Sequence, residues 1–287
     1  MIILNKSLIE ILKFPNNETK IQDFKELVRQ NNLVELRYEN DSDLIQLMFV
    51  KERLDEFGAD ANLFIHYMPY SRMDRKIEGD LFTLKYVCDF INNLNFKSTV
   101  VVEPHSEQTV NLLVNCKAIY PTIEWAKQIM KINNFGAGDG VVFPDEGAYR
   151  RYKNVDFENQ LIFHKTRNPQ TGVIEKIELA EGSLDNANKS KYLIIDDLCS
   201  RGGTFMPIAT ALKKHGAERV FLLTAHMENT IFEGQALAKA SPIDHFYTSN
   251  SIITKEHEKI SQIKIDAMKL LKNSGVSDNF NKEGFTK

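Results

Sequence analysis

The sequence predicts an α/β protein with largely parallel sheets. Two observations carry this. Short apolar runs alternate with stretches in which apolar residues recur every three or four positions, the order of strands and crossover helices. The plan also appears twice: near residue 100 a strand ends in Glu103-Pro104-His105 before a helix, and near residue 195 a strand ends in Asp196-Asp197 before a glycine loop and a helix. At 287 residues the chain is long enough for two domains.

The expected strands, in order, are Leu33–Arg37, Asn62–Tyr67, Ser98–Glu103, Gly140–Phe143, Gln160–His164, Tyr192–Ile195, Arg219–Thr224 and His245–Tyr247. The first helix is read from Leu44, Leu47, Val50, Leu54 and Phe57, and the second from Leu84, Val87, Ile91 and Leu94. Asp43 and Asp80 are their expected caps; Gly58 and Asn92-Asn93 are their expected stops. A boundary is expected around Tyr120-Pro121, ahead of a helix containing Trp125. The two halves differ too much in sequence to be a repeat. The tail from Asn273 is polar and expected to be partly disordered.

Bulk properties exclude several functions. A net charge of −3 lacks the basic excess of a general nucleic-acid binder. No apolar run approaches the ~20 residues of a membrane span, and Asn5, Lys6 and Glu10 interrupt the N-terminal segment as a signal peptide. Cys88, Cys116 and Cys199 have no metal-ligand spacing, so reduced thiols in a cytoplasmic protein are expected.

The stretch from Tyr192 to Phe205 is the most informative. An apolar strand meets Asp196 and Asp197, then Ser200, Arg201, Gly202 and Gly203, and Thr204 at a helix start. Carboxylates suit sugar hydroxyls, while loop amides and the helix dipole suit phosphate oxygens, so this loop suits a phosphorylated ribose. Arg201 can add a cation, although an exposed arginine is also common. Lys165 and Arg167 leave a strand for a loop rich in Pro, Gly and Asn; alternation puts both on one side, where they could close over a polyphosphate. Taken alone, that segment reads more readily as a solvated basic loop. Arg72, Arg75 and Lys76, beside Tyr67 and Tyr70, could take a nucleotide's phosphates or form a charged surface loop. His105 and Asp145 could hold a divalent cation or its water shell, and neither is specific alone. His215 and His226 have no ligand spacing.

These segments occur in an order that resembles the ribose-phosphate diphosphokinase (phosphoribosyl pyrophosphate synthetase) family. Phe14-Pro-Asn-Asn-Glu18 looks like the family's Phe-x-Asp-Gly-Glu, and Tyr70-Ser-Arg-Met-Asp-Arg-Lys76 like its Tyr-Ala-Arg-Gln-Asp-Arg-Lys. Glu103-Pro-His105 falls at Asp-Leu-His, Pro144-Asp-Glu-Gly147 at Pro-Asp-x-Gly, and Lys165-Thr-Arg167 at Lys-x-Arg. Asp196 to Thr204 resembles its ribose 5-phosphate loop. The similarity runs over roughly residues 10–255, and the ordered set is far more specific than any single member.

The resemblance implies two phosphoribosyltransferase-like domains, each a largely parallel sheet flanked by helices: 1–121 on the ATP side and 122–287 on the ribose 5-phosphate side. It implies transfer of the diphosphoryl group of ATP to the anomeric hydroxyl of ribose 5-phosphate, with Mg2+ as cofactor, in a cytoplasmic homo-oligomer (dimer or hexamer) with no nucleic-acid or membrane partner. By motif, Lys165 and Arg167 would be catalytic. Phe14, Asn16, Glu18, Arg72, Asp74, Arg75 and His105 would bind ATP, the first three across a subunit boundary. Asp196, Asp197, Ser200, Arg201, Gly202, Gly203 and Thr204 would bind ribose 5-phosphate, and His105 and Asp145 the metal. Met73 stands where the family has glutamine, Asn16-Asn17 where it has Asp-Gly, and Ser200-Arg201 where it has Asp-Thr. The last change makes the phosphate loop more positive. The competing readings are a phosphoribosyltransferase, which consumes the activated sugar and shares the Asp-Asp–glycine loop, and a non-catalytic regulatory homologue.

Overall fold

In the computed structural model the chain forms two compact units, Met1–Tyr120 with the segment that begins at Ile265, and Pro121–Lys264. The structure describes residues 1–76, 79–154, 157, 159–167, 174–184 and 190–274.

The first unit carries a six-stranded sheet. Its strands are β1 (Ile2–Leu4), β2 (Ser7–Leu8), β5 (Asn31–Leu36), β6 (Asp60–Ile65), β7 (Thr99–Val102) and β8 (Cys116–Ile119), in the order β2-β1-β5-β6-β7-β8. From β5 to β8 every pairing is parallel; β1 runs antiparallel to β5. A separate antiparallel hairpin joins β3 (Ile11–Lys13) and β4 (Thr19–Ile21). Helices α1 (Ser42–Glu56), α2 (Thr83–Asn93) and α3 (Gln108–Leu112) connect the parallel strands. The apolar rows expected on α1 and α2 are the buried ones: Leu47, Val50, Leu54, Leu84, Val87 and Ile91 join Val34, Leu63 and Val101 of the sheet in one core.

The second unit carries a seven-stranded sheet. It contains β9 (Gly140–Phe143), β10 (Gln160–Arg167), β11 (Ile174–Glu181), β12 (Lys191–Cys199), β13 (Arg219–Met227), β14 (His245–Ser249) and β15 (Ile260–Ile263), in the order β11-β10-β9-β12-β13-β14-β15. Only β11, paired with β10, is antiparallel. Helices α4 (Thr122–Ile132), α5 (Glu146–Tyr152) and α6 (Phe205–Lys214) belong to this unit. The apolar face of α6 (Phe205, Ile208, Ala209, Leu212) packs on Ile194, Leu222 and Phe246 of adjacent strands. The last helix, α7 (Ala267–Asn273), belongs to the first unit.

Several local expectations change. β12 continues through Asp196 and Asp197 to Cys199, because β13 pairs with it over that whole length. β10 likewise continues through Lys165 and Arg167, held by the antiparallel partner β11. The loop expected next, residues 168–173, lies outside the described residues, as does the tail from 275. α1 starts two residues earlier than Asp43 would set as a cap; the Asp43 carboxylate instead accepts the amides of Glu39 and Asn40, 2.7 and 3.1 Å away, ahead of the helix. Asp80 lies before Phe82, the residue that precedes α2, and caps nothing.

Candidate active site

In open parallel sheets, ligands bind beyond the carboxyl ends of the strands. In the second unit that edge gathers charged side chains. Asp145 opens α5 immediately after β9, and its carboxylate accepts the Ala148 amide at 2.9 Å. Lys165 of β10 forms an ion pair with Asp145. Burial alone would raise the Asp145 carboxyl, but the Lys165 ammonium and the Ala148 and Gly147 amides outweigh it and hold the group below the usual carboxylate range.

Asp196 and Asp197 are neighbours in β12 with different surroundings, as adjacent strand residues face opposite sides. Asp197 is buried and ion-paired with Arg151 of α5 at 2.9 Å. Asp196 has no such ion pair among the described residues. Burial first, and then the Asp197 and Asp145 carboxylates, push it well above the ordinary range against the pull of Lys165. The cluster therefore sets an Asp145 carboxyl held low, an Asp197 paired with Arg151 and an Asp196 carboxyl held high around Lys165.

The loop after β12 is built to turn. Gly202 has φ 83°, and a Cβ there would stand 2.8 Å from the Ala236 methyl, so only glycine fits. The Gly202 carbonyl accepts the Phe205 and Met206 amides, both at 3.0 Å, which starts α6 behind Thr204. Gly203 is exposed and Thr204 half-buried at the positive end of this ten-residue helix. The Ser200 hydroxyl donates to Thr230 Oγ1 at 2.8 Å, which in turn donates to Glu228 at 3.0 Å. Arg201 is exposed and paired with Glu233 at 2.6 Å. The cation gained in the loop is thus matched by a local carboxylate, which offsets the more positive loop that the substitution alone implies. The Arg167 backbone completes β10 opposite Ile174.

In the first unit, Arg72, Asp74 and Arg75 follow β6, and His105 follows the adjacent parallel strand β7, so the fold brings them to one sheet edge. Arg72 and Arg75 are exposed; Asp74 and His105 are half-buried. The turn before Arg72 is held at Tyr70, whose φ of 60° is unusual for a bulky residue. Its hydroxyl donates to Asp41, which also receives the Tyr38 hydroxyl. These two bonds hold the Asp41 carboxyl below its ordinary value despite some burial. Phe14, Asn16 and Glu18 are elsewhere, at the tip of the β3–β4 hairpin, with Phe14 half-exposed. Their tip is closed by the Phe14 amide donating to Glu18 O at 2.9 Å and by Asn16 Oδ1 accepting the Glu18 amide at 3.2 Å.

Sequence reasoning missed Arg151, Glu228, Thr230, Glu233, Tyr38 and Asp41. The pairings of Arg151 with Asp197, Glu233 with Arg201, Thr230 with Ser200 and Asp41 with Tyr70 join residues far apart in the sequence. Arg151, one residue beyond the segment from Phe143 to Arg150, was the nearest to being found.

Comparison with known proteins bears on this arrangement. No family model matches the chain. The ribose-phosphate pyrophosphokinase of Sulfurisphaera tokodaii is 27% identical over 254 residues, covering 85% of this chain and 84% of that protein. That of Pyrococcus furiosus is 27% identical over 251 residues, covering 86% of each. The Mycoplasma pneumoniae protein of the same name is 27% identical over 276 residues, with 90% and 80% coverage. Among solved structures, phosphoribosylpyrophosphate synthetase from Mycobacterium smegmatis matches with a TM-score of 0.75 at 18% identity, covering 95% of this chain and 91% of that one, which shows a shared fold. Over most of its length the chain is thus similar to proteins named ribose-phosphate pyrophosphokinase, and it shares the fold of a phosphoribosylpyrophosphate synthetase.

Proposed function

We propose that this chain makes 5-phosphoribosyl 1-diphosphate. The anomeric hydroxyl oxygen of ribose 5-phosphate bonds to the β-phosphorus of ATP. The bond from that phosphorus to the α,β-bridging oxygen breaks, AMP leaves, and the hydroxyl proton is released. The observation that carries this reading is the cluster of Lys165, Asp145, Asp196 and Asp197 at one sheet edge, with the Ser200–Thr204 loop entering α6 beside it. Phosphoryl-type transfer needs positioning and charge neutralisation more than a covalent nucleophile, and this edge supplies both.

In this reading the Gly203 and Thr204 amides and the α6 dipole hold the 5-phosphate. Asp196 and Asp197 serve the ribose subsite from the end of β12. Lys165 and Arg167 neutralise charge growing on the transferred group. Arg72, Asp74, Arg75 and His105 hold the nucleotide. Mg2+ fits the second unit's donor set through Asp145, an ionised hard oxygen donor. No preformed cluster of three ligands exists among the described residues, as suits an ion carried in largely by substrate phosphates. Bound there, it would offset polyphosphate charge. In the same reading the exposed hairpin tip of Phe14, Asn16 and Glu18 contacts the adenine of a neighbouring copy in a cytoplasmic dimer or hexamer.

The test is direct. The purified chain is incubated with ATP, Mg2+ and ribose 5-phosphate, and AMP and phosphoribosyl diphosphate are quantified. Equimolar formation of both is expected. No product across a reasonable range of pH and phosphate would sink the proposal.

A further inference from the structure

The carboxyl edge of the first unit's sheet holds an arginine that no motif singles out. Arg37 is the first residue after β5, and His66 the first after β6; Leu36 and Ile65 are paired immediately before them. Arg37 is half-buried, and its Nε–H is buried with no acceptor among the described residues. A carboxylate stands two residues away: Glu35 lies on the same face of the extended segment. Yet Glu35 engages His66, with Oε2 2.8 Å from Nε2, inside the protein. His66 Nδ1, at the same level of the sheet, is also buried without a partner. Burial holds the His66 imidazole below its ordinary value, against the pull of Glu35, so Arg37 is the cation at this level. A buried guanidinium donor left unmade is costly in a folded protein unless something else completes it. The side-on fork of Nε and a terminal nitrogen matches two oxygens of one phosphate. The segments that follow the next two parallel strands, β6 and β7, carry Arg72, Arg75 and His105.

We infer that Arg37 is a phosphate-binding residue of the nucleotide site, its half-buried guanidinium turning so that Nε–H and a terminal N–H grip one phosphate of the nucleotide. This rests on the proposed function for the ligand's identity, and on Arg37 and its surroundings for the site. Glu35 and His66 act as positioning residues: by satisfying each other they leave the guanidinium free for the ligand.

Arg37→Met tests it in the full chain. Removing a charged partner from a phosphate contact weakens binding by roughly 30-fold or more. Calorimetric titration should therefore show that loss for ATP, with ribose 5-phosphate affinity unchanged and ligand-free thermal stability equal to wild type or higher. Unchanged ATP affinity overturns the inference. So does weakened binding of inorganic phosphate with ATP affinity intact, which would place the contact outside the nucleotide site. If Arg37→Met does not fold, Arg37→Lys keeps the charge but loses the fork, and wild-type ATP affinity there would sink the side-on contact. A wild-type chain that forms no product while Arg37→Met still loses ATP affinity separates the two ideas: the function fails and the binding residue stands.

Discussion

Asp196 carries the largest conflict at the level of single residues. Its carboxyl is held well above its ordinary range, by burial first and then by Asp197 and Asp145. The unfolded chain ionises such a group near pH 3.9. Between that value and the raised folded value the unfolded state binds fewer protons, so stability falls as pH rises through this window. Asp196→Asn removes the liability. In the absence of divalent cation and substrates, the variant should melt above wild type at neutral pH, and the gap should close as pH falls toward 4. A gap independent of pH would refute the raised carboxyl. Product formation should meanwhile drop, the trade expected of a destabilising group kept for function. Lys165 gives the complementary case. Lys165→Ala should lower turnover by roughly 100-fold or more, the scale of losing one stabiliser of transition-state charge, while ribose 5-phosphate affinity changes little. Equal losses in both would contradict a role confined to the transition state.

Among the elements, the junction of β12, the glycine loop and α6 makes a sharp contrast between adjacent glycines. Gly202 combines φ 83° with a Cβ position 2.8 Å from the Ala236 methyl, whereas a Cβ on Gly203 meets nothing within 4 Å. Gly202→Ala should cost about 1–3 kcal/mol by backbone strain and clash and should weaken ribose 5-phosphate binding. Gly203→Ala should fold normally, measured by urea unfolding of both variants. This junction was largely legible in sequence, because apolar strand, paired acids, double glycine and helix start are local signals. Other parts were not. β8, β11 and β15 were missed because each is an edge or near-edge strand defined by its neighbour. The length of β10 and β12 was underestimated for the same reason: Asp196, Asp197, Lys165 and Arg167 look like loop residues until β13 and β11 supply the missing hydrogen-bond partners. Arg151 beside Asp197 and Glu233 beside Arg201 are pairings across 46 and 32 positions, which no pattern along the chain can announce.

At the scale of the whole molecule, the chain leaves its first unit at Tyr120, completes the second by Lys264, and returns to the first from Ile265. The returning segment is anchored: Ile265, Ala267 and Leu271 are buried, and Asp266 caps α7 by accepting the Lys269 amide at 3.0 Å. Burying an isoleucine and a leucine stabilises by about 1.5–3 kcal/mol each at the upper end, a sizeable share of the 5–15 kcal/mol typical of a domain. Ending the chain after Lys264 should therefore destabilise the first unit by roughly 3–6 kcal/mol on that scale. Asp266→Ala, which removes only the cap, should cost about 1 kcal/mol. The single tryptophan, Trp125 on α4, lies in the second unit and reports that unit selectively. In urea, the truncated chain should show an earlier loss of far-ultraviolet circular dichroism, because the first unit's helices melt first. The Trp125 fluorescence midpoint should stay close to wild type. A fluorescence midpoint that falls as far as the dichroism would mean the returning segment stabilises both units together; an unchanged dichroism midpoint would mean that its buried side chains contribute nothing to either.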